Sequence, residues 1–132
     1  MKNDNSEYVI AVHNGVFHAD DAFAVATLSL LFEKKAGHVM GDLRPVRIVR
    51  TRDSALLDTA DFVVDVGGVF DPAKGRFDHH QAGGAGERAN TIPYASFGLV
   101  WKTFGEKLAG SKEAAEVIDQ RLGDFPRLRG VE

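Results

Sequence analysis

Two runs of apolar residues constrain the fold of this chain more than any other feature. Residues 8–12 and residues 61–66 lack the regular apolar–polar alternation of a half-buried strand. Strands of this kind are buried on both faces, as in a parallel sheet. A third strand is predicted at residues 45–51, and helices are predicted at residues 22–36, 53–58, 94–108 and 111–122. Their alternation predicts an α/β fold with three layers, in which helices flank a mostly parallel sheet.

Local signals set the predicted ends of the helices. Either Asp20 or Asp21 suits the N-cap of the first long helix, and Gly37 suits its C-terminal end. Asp53 and Ser111 suit the N-caps of two later helices. The glycine-rich residues 81–91 match no phosphate-binding loop and are expected to form a mobile lid.

Composition excludes several classes of protein and of site. The chain has 132 residues, which suits one domain, and its net charge of −3 excludes nucleic-acid binding by bulk charge alone. Because cysteine is absent, any metal must be held by nitrogen and oxygen. The apolar stretch at residues 22–32 is too short for a membrane span, and residues 1–7 contain no apolar signal segment. We therefore expect a soluble cytoplasmic protein without a membrane partner.

Histidines and aspartates follow the predicted strands. One group follows the first strand, one aspartate closes the strand at residues 61–66, and an Asp-His-His motif follows a hairpin-like excursion with its turn at residues 71–75. Ligands of open α/β sheets bind outside the carboxyl ends of the strands, so these side chains are expected to converge. The set consists of His13, His18, Asp20, Asp65, Asp78, His79 and His80.

Each of these residues also has a purely structural interpretation. Asp20 can act only as a helix cap, His13 can satisfy backbone groups at a strand end, and His18 can be an ordinary loop residue. Asp65 is harder to explain in this way, because a carboxylate that closes a buried strand must be paired, hydrogen-bonded or metal-bound. His38 is expected to lie on the surface, away from the site.

The donor types indicate the chemistry. Histidine and aspartate without cysteine suit Mn²⁺, Fe, Co or Zn, or Mg²⁺ at the more carboxylate-rich position. Asp65 is the natural bridge between two metals that activate a water. The favoured reaction is hydrolysis of a phosphoester or phosphoanhydride, and amide hydrolysis is the alternative. Arg50 and Arg52 suit contacts with phosphate, although a solvated basic face is the favoured explanation of the basic run to which they belong.

Four motifs together resemble one known family. They are residues 13–21 (HNGVFHADD), 50–53 (RTRD), 64–72 (VDVGGVFDP) and 77–81 (FDHHQ). In this order they resemble the melanocyte-proliferating-gene family, a branch of the DHH phosphoesterase superfamily that is often labelled metal-dependent protein hydrolase. Residues 92–101 look like the bacterial members, and the resemblance extends from about Tyr8 to about Leu122.

The resemblance implies a DHH-type N-terminal domain with two metals, usually Mn²⁺. His13 and His18 are the implied ligands of one metal, with His18 standing where most relatives have aspartate. Asp20 and His79 are the implied ligands of the second metal, and Asp65 is the implied bridge.

The resemblance also implies catalytic roles and a substrate. His80 is expected to face or polarise the substrate phosphate, and Asp78 is expected to orient a histidine. Eukaryotic relatives are described as exonucleases acting on RNA. The expected partner is therefore a nucleic acid or a small phosphoester, and a homo-oligomer is compatible with the sequence.

The chain departs from the family pattern near its C-terminus. The predicted metal-binding domain covers residues 1–122, an irregular tail covers residues 123–132, and the family's C-terminal domain is not found. A further ligand aspartate is expected after the last helix, but neither Asp119 nor Asp124 lies in a matching motif. The alternative prediction is therefore a truncated, catalytically weak metal-binding or interaction domain.

Overall fold

The computed structural model describes residues 7–35 and 46–122, and for residues 33–35 it describes the backbone. The predictions for Gly37, His38, Asp124 and the tail therefore lie outside the described residues. Within them, the predicted α/β architecture is confirmed.

A five-stranded sheet forms the centre of the molecule. The strands are β1 (Tyr8–Val12), β2 (Val46–Arg50), β3 (Phe62–Val64), β4 (Phe70–Asp71) and β5 (Arg76–Phe77). Their order across the sheet is β2-β1-β3-β5-β4, and only the β4–β5 pair is antiparallel. The sheet is thus mostly parallel, as the apolar runs predict.

The register aligns the carboxyl ends of the four parallel strands. Val12 at the end of β1 lies opposite Arg50 of β2 and Val64 of β3, and Val64 in turn lies opposite Phe77 of β5. The residues that follow these strands therefore leave the sheet side by side, along one edge.

Helices cover both faces of the sheet. They are α1 (Ala19–Lys35), α2 (Ser54–Thr59), α3 (Ser96–Ala109) and α4 (Lys112–Leu122). One core joins the sheet to α1 and α3 through fully buried side chains such as Leu28 and Leu99, while Leu57 of α2 packs with Ala11 and Val63 on the opposite face. No helix in the described part of the chain is long and apolar enough to cross a membrane.

Helix α1 begins earlier than the sequence predicts. It starts at Ala19 rather than Ala22, so Asp20 and Asp21 lie in the first turn and the N-cap prediction is wrong. The Asp21 carboxylate accepts a hydrogen bond from the His18 backbone N–H at 3.2 Å, and the His18 carbonyl accepts from Ala22 at 3.0 Å. These bonds, together with acidic charge at the helix N-terminus, stabilise the earlier start.

Strand β3 is shorter than predicted, and the cause is the backbone of Asp65. Its φ of 59° is in the left-handed region, which ends the extended conformation after Val64. The predicted caps of the later helices are confirmed: the Asp53 carboxylate accepts from the Ala55 N–H at 2.9 Å, and the Ser111 hydroxyl accepts from the Ala114 N–H at 3.1 Å.

The irregular segment between β5 and α3 is fastened to α4. The guanidinium of Arg88 donates two hydrogen bonds to the Asp119 carboxylate, both at 2.8 Å, and its plane lies over the Tyr94 ring. The Tyr94 N–H also donates to the Gly86 carbonyl at 3.0 Å. The mobility of residues 81–91 stays a prediction.

Candidate metal centre

The site forms where β1, β3 and β5 end. His13, Asp65 and Asp78 each follow directly the last residue of one of these strands. Since those last residues are in register, the three side chains lie close together at the edge of the sheet. His13 is 7% exposed, Asp65 2% and Asp78 1%, so the centre of the site is shielded from bulk water.

A first group of possible metal ligands lies on the β1 side. Its members offer one donor atom each within 4.8 Å of one another: His13, His18, Asp21 and Asp65. His13 Nε2 lies 2.8 Å from Asp21 Oδ2 and 3.3 Å from Asp65 Oδ2. His18 Nε2 lies 3.5 Å from the same Asp65 oxygen.

A second group lies on the β5 side and meets the same distance condition: Asp65, Asp78, His79 and His80. His79 Nε2 lies 3.0 Å from Asp65 Oδ1, and His80 Nδ1 lies 3.5 Å from that oxygen. Asp65 therefore belongs to both groups, with Oδ2 facing the first and Oδ1 facing the second. A carboxylate in this position can bridge two cations.

Asp78 organises the second group. Its Oδ1 accepts hydrogen bonds from His80 Nδ1 at 2.7 Å and from the His79 backbone N–H at 2.8 Å. Its Oδ2 accepts from the Gly68 N–H at 2.7 Å. The carboxylate thus ties the turn after β3 to the Asp-His-His motif, and the His80 ring has only Nε2 left for another contact.

Asp20 and Asp21 have different surroundings. Asp20 lies outside both groups, and its oxygens accept from the Phe97 N–H at 2.6 Å and the Ser96 N–H at 3.2 Å at the start of α3, so its ligand role stays a prediction. Its Oδ2 nevertheless lies 3.4 Å from His79 Nε2. Asp21, which the sequence reasoning treated only as a cap, is fully buried and joins the first group. Adjacency to Asp20 inside the HADD motif was the only sequence signal for it.

The acidic surroundings shift the proton affinity of two central residues. Burial by itself lowers the pKa of His79, but hydrogen bonds to Asp20 and Asp65 outweigh it and raise the pKa to about 10. Burial raises the pKa of Asp65 to about 6, against the hydrogen bond from His79 and together with the charges of Asp20 and Asp21. The site therefore favours added positive charge, which protons or metal ions can supply.

The pattern of unpaired atoms fits a cation. His18 Nδ1, Asp21 Oδ1 and Asp65 Oδ2 are buried and make no hydrogen bond with the described residues. Buried polar atoms normally have partners. Imidazole nitrogens and carboxylate oxygens are donors for first-row divalent metals, so the residues present fit such an ion.

A cavity of about 300 Å³ opens onto these donors. It is lined by His13, His18, Arg52, Asp65, Val66, Gly67, Asp78 and His80. Of the two predicted phosphate contacts, Arg52 lines this cavity and also donates to Asn14 Oδ1 at 2.7 Å. Arg50 instead donates to the Gly15 carbonyl in the loop between β1 and α1. The phosphate roles of both arginines stay predictions.

Comparison with known proteins gives a consistent family. Residues 9–123 match the family described as Uncharacterised protein family (UPF0160), MYG1_exonuc. The chain is 38% identical to human "MYG1 exonuclease" over 121 residues, which cover 86% of this chain and 30% of the relative. It is 42% identical to the bovine protein of the same name, over 86% of the chain and 29% of the relative. No solved structure matches significantly. The chain thus spans about 30% of the length of these relatives.

Proposed function

Because the chain belongs to the MYG1 exonuclease family, we propose that it is a metal-dependent phosphodiesterase domain that hydrolyses nucleic-acid ends. The observation that carries this proposal is the position of Asp65, which is shared by two groups of donors at the ends of parallel strands. The human and bovine relatives are named exonucleases, which supports a nuclease. Membership of the DHH superfamily and a domain spanning residues 1–122 belong to the same proposal.

The described donors suggest how two divalent ions would be held. His13 and His18 would hold one ion, His79 the other, and Asp65 would bridge them. A further carboxylate ligand would be Asp20 or Asp21. The family resemblance favours Asp20, whereas membership of the group around His13 favours Asp21. Mn²⁺ is the proposed ion, with Mg²⁺, Co, Zn or Fe as alternatives. When bound, such ions polarise phosphoryl oxygens and lower the pKa of water.

The remaining residues would position the substrate. His80 Nδ1 is bonded to Asp78, so His80 Nε2 is the ring nitrogen left to meet a phosphate oxygen at the cavity, and it donates to that oxygen in the imidazolium form. The His80 side chain is 58% exposed, which allows such a contact. Arg52 lines the same cavity and can supply a second, permanently charged donor.

A second candidate function is a metal-binding domain with little turnover. Asp119 lies near the position where the family resemblance requires a further ligand, but its carboxylate is engaged by Arg88. This observation favours incomplete ligation of the second ion. Cytoplasmic location and a homo-oligomeric state remain sequence-based proposals.

Hydrolysis of a short single-stranded RNA with and without added Mn²⁺ tests the first candidate. We expect Mn²⁺-dependent release of nucleotides by the wild type and none by Asp65→Asn, while Asp58→Asn on the exposed surface of α2 serves as the matched control. Metal binding without turnover on RNA and on simple phosphodiesters would favour the second candidate. Failure to bind Mn²⁺, Co²⁺ or Zn²⁺ would reject both.

A further inference from the structure

The loop between β1 and α1 exposes two apolar side chains beside the site. Val16 is 80% exposed and Phe17 is 42% exposed. Single exposed apolar residues are common on protein surfaces, so exposure by itself has little meaning. The position is more informative, because Phe17 directly precedes His18, whose ring lines the cavity.

One arginine contacts this aromatic side chain, and a second holds the same loop. The Arg50 Cζ lies 5.7 Å from the centroid of the Phe17 ring, within the range of a cation–π contact. Arg52 lines the cavity, and both arginines donate to the β1–α1 loop, at Gly15 and Asn14. The loop is therefore held between the arginines and the metal donors rather than being free at its tip.

Arg50 and Arg52 differ from Arg47 of the same strand region in whether they form an ion pair. Arg47 forms an ion pair with Glu7 at 3.1 Å. Neither Arg50 nor Arg52 forms an ion pair with a carboxylate within residues 7–35 and 46–122. The rim of an acidic site thus combines an exposed aromatic ring with two cations that face no carboxylate there. Proteins that bind single-stranded nucleic acid combine these two elements, since bases stack on aromatic rings and cations attract the backbone.

We infer that Phe17, supported by Arg50, is the platform on which the nucleobase next to the scissile phosphate stacks. This inference deepens the proposed function and rests on it for the reaction, although base stacking can be measured without turnover. It makes Phe17 a specificity residue that separates nucleic acids from phosphoesters without a base. A structural role for Phe17, as a packing partner that only holds Arg50, is the competing explanation.

Binding to single-stranded chains with and without bases tests the inference. Fluorescence anisotropy compares a labelled oligoadenylate with an abasic chain of the same length, at low salt and in EDTA, so that neither metal nor turnover is required. Stacking on an aromatic side chain contributes about 1–3 kcal/mol per base, so we expect the wild type to prefer the oligoadenylate about tenfold. Phe17→Leu should lose this preference, and Phe17→Trp should keep it.

Val117→Ala is the matched control, since Val117 is 48% exposed on α4 and is expected to leave the preference unchanged. Equal affinity of the wild type for the two chains, or no binding of either, would overturn the inference. If Phe17→Leu lowers the affinity for both oligonucleotides equally, Phe17 has only a structural role. If it lowers neither affinity, Phe17 has no role in binding. Either result would also overturn the inference. A retained base preference without any Mn²⁺-dependent hydrolysis would reject the proposed function and leave this inference standing.

Discussion

Two polar regions of the molecule, one partly buried and one buried, differ in how their charges are compensated. In the first, the Arg88 guanidinium donates to both oxygens of Asp119 at 2.8 Å. In the second, at the strand ends, Asp21 and Asp65 each have a buried oxygen that makes no hydrogen bond with the described residues. The first region has its own counter-charge and fastens a loop to α4. The second is short of positive charge, as expected of residues that bind a cation.

The two regions should therefore respond oppositely to removal of a charge. Loss of a partner in a satisfied ion pair leaves the other charge buried, which destabilises the fold. Loss of a carboxylate from an under-compensated acidic cluster relieves repulsion in the metal-free protein, at the expense of metal binding. Each prediction below tests one side of this comparison.

The largest effect is expected for Asp65→Asn. Asparagine tolerates the φ of 59° at this position, so the substitution removes charge with little change of backbone. Loss of the shared carboxylate should lower Mn²⁺-dependent turnover by about 10²–10³-fold, the loss typical of groups that stabilise a transition state directly. Single-turnover kinetics on short RNA measures it, and residual turnover close to wild type would contradict a bridging role.

The same variant should be more stable than wild type without metal. The pKa of Asp65 is raised from 3.8 to about 6, so its protonated form stabilises the fold at low pH and this contribution is lost as pH rises through 6. Above that pH the ionised carboxylate destabilises the wild type by about 1–3 kcal/mol. Thermal unfolding in EDTA at pH 8 should therefore show a higher Tm for Asp65→Asn, and a lower Tm would refute the repulsion argument.

Arg88→Met should show the opposite behaviour. It leaves the Asp119 carboxylate, whose side chain is 26% exposed, without its partner, and the free energy of unfolding should fall by about 1–3 kcal/mol. Urea unfolding measures this change. Mn²⁺ affinity of the folded protein should stay at the wild-type value, because Arg88 belongs to neither donor group. The double variant Arg88→Met/Asp119→Leu should recover part of the lost free energy of unfolding. A lower Mn²⁺ affinity of Arg88→Met would contradict the separation of the two regions.

Part of the candidate site could be predicted from the sequence. The apolar runs at residues 8–12 and 61–66 predict buried parallel strands, and strand ends in a parallel sheet share one edge. That argument brings His13 and Asp65 together, and the hairpin-like excursion with its turn at residues 71–75 adds Asp78. Their grouping needs no knowledge of side-chain packing.

The choice between Asp20 and Asp21 could not be made from the sequence. Consecutive residues on a helix point about 100° apart, so the start of α1 three residues earlier than predicted changes which carboxylate faces which neighbour. The bonds from Ser96 and Phe97 to Asp20 also join residues 76 and 77 positions apart. No local pattern reports such contacts.

Comparison of Asp21→Asn with Asp20→Asn tests which of the two carboxylates contributes to metal binding. Asp21 contacts both His13 and His18, so Asp21→Asn should lower Mn²⁺ affinity by about 10–100-fold, as for other residues that orient or complete a metal site. Asp20→Asn should mainly lower stability, because α3 loses a charged acceptor at its N-terminus. Calorimetry and urea unfolding on both variants give the two quantities. A greater loss of affinity in Asp20→Asn would instead support the ligand implied by family resemblance.

The smallest effect is a pH slope of metal binding at the second group. His79 can ligate a metal only as neutral imidazole, and its pKa of about 10 means that binding near neutral pH must release a proton. Mn²⁺ affinity should therefore rise about tenfold for each pH unit from pH 7 upward, as long as one proton is displaced. His79→Gln should flatten this slope, whereas His80→Gln, which removes a neighbouring histidine, should retain it. A slope that is the same in wild type and His79→Gln would show that the displaced proton comes from another residue of the site.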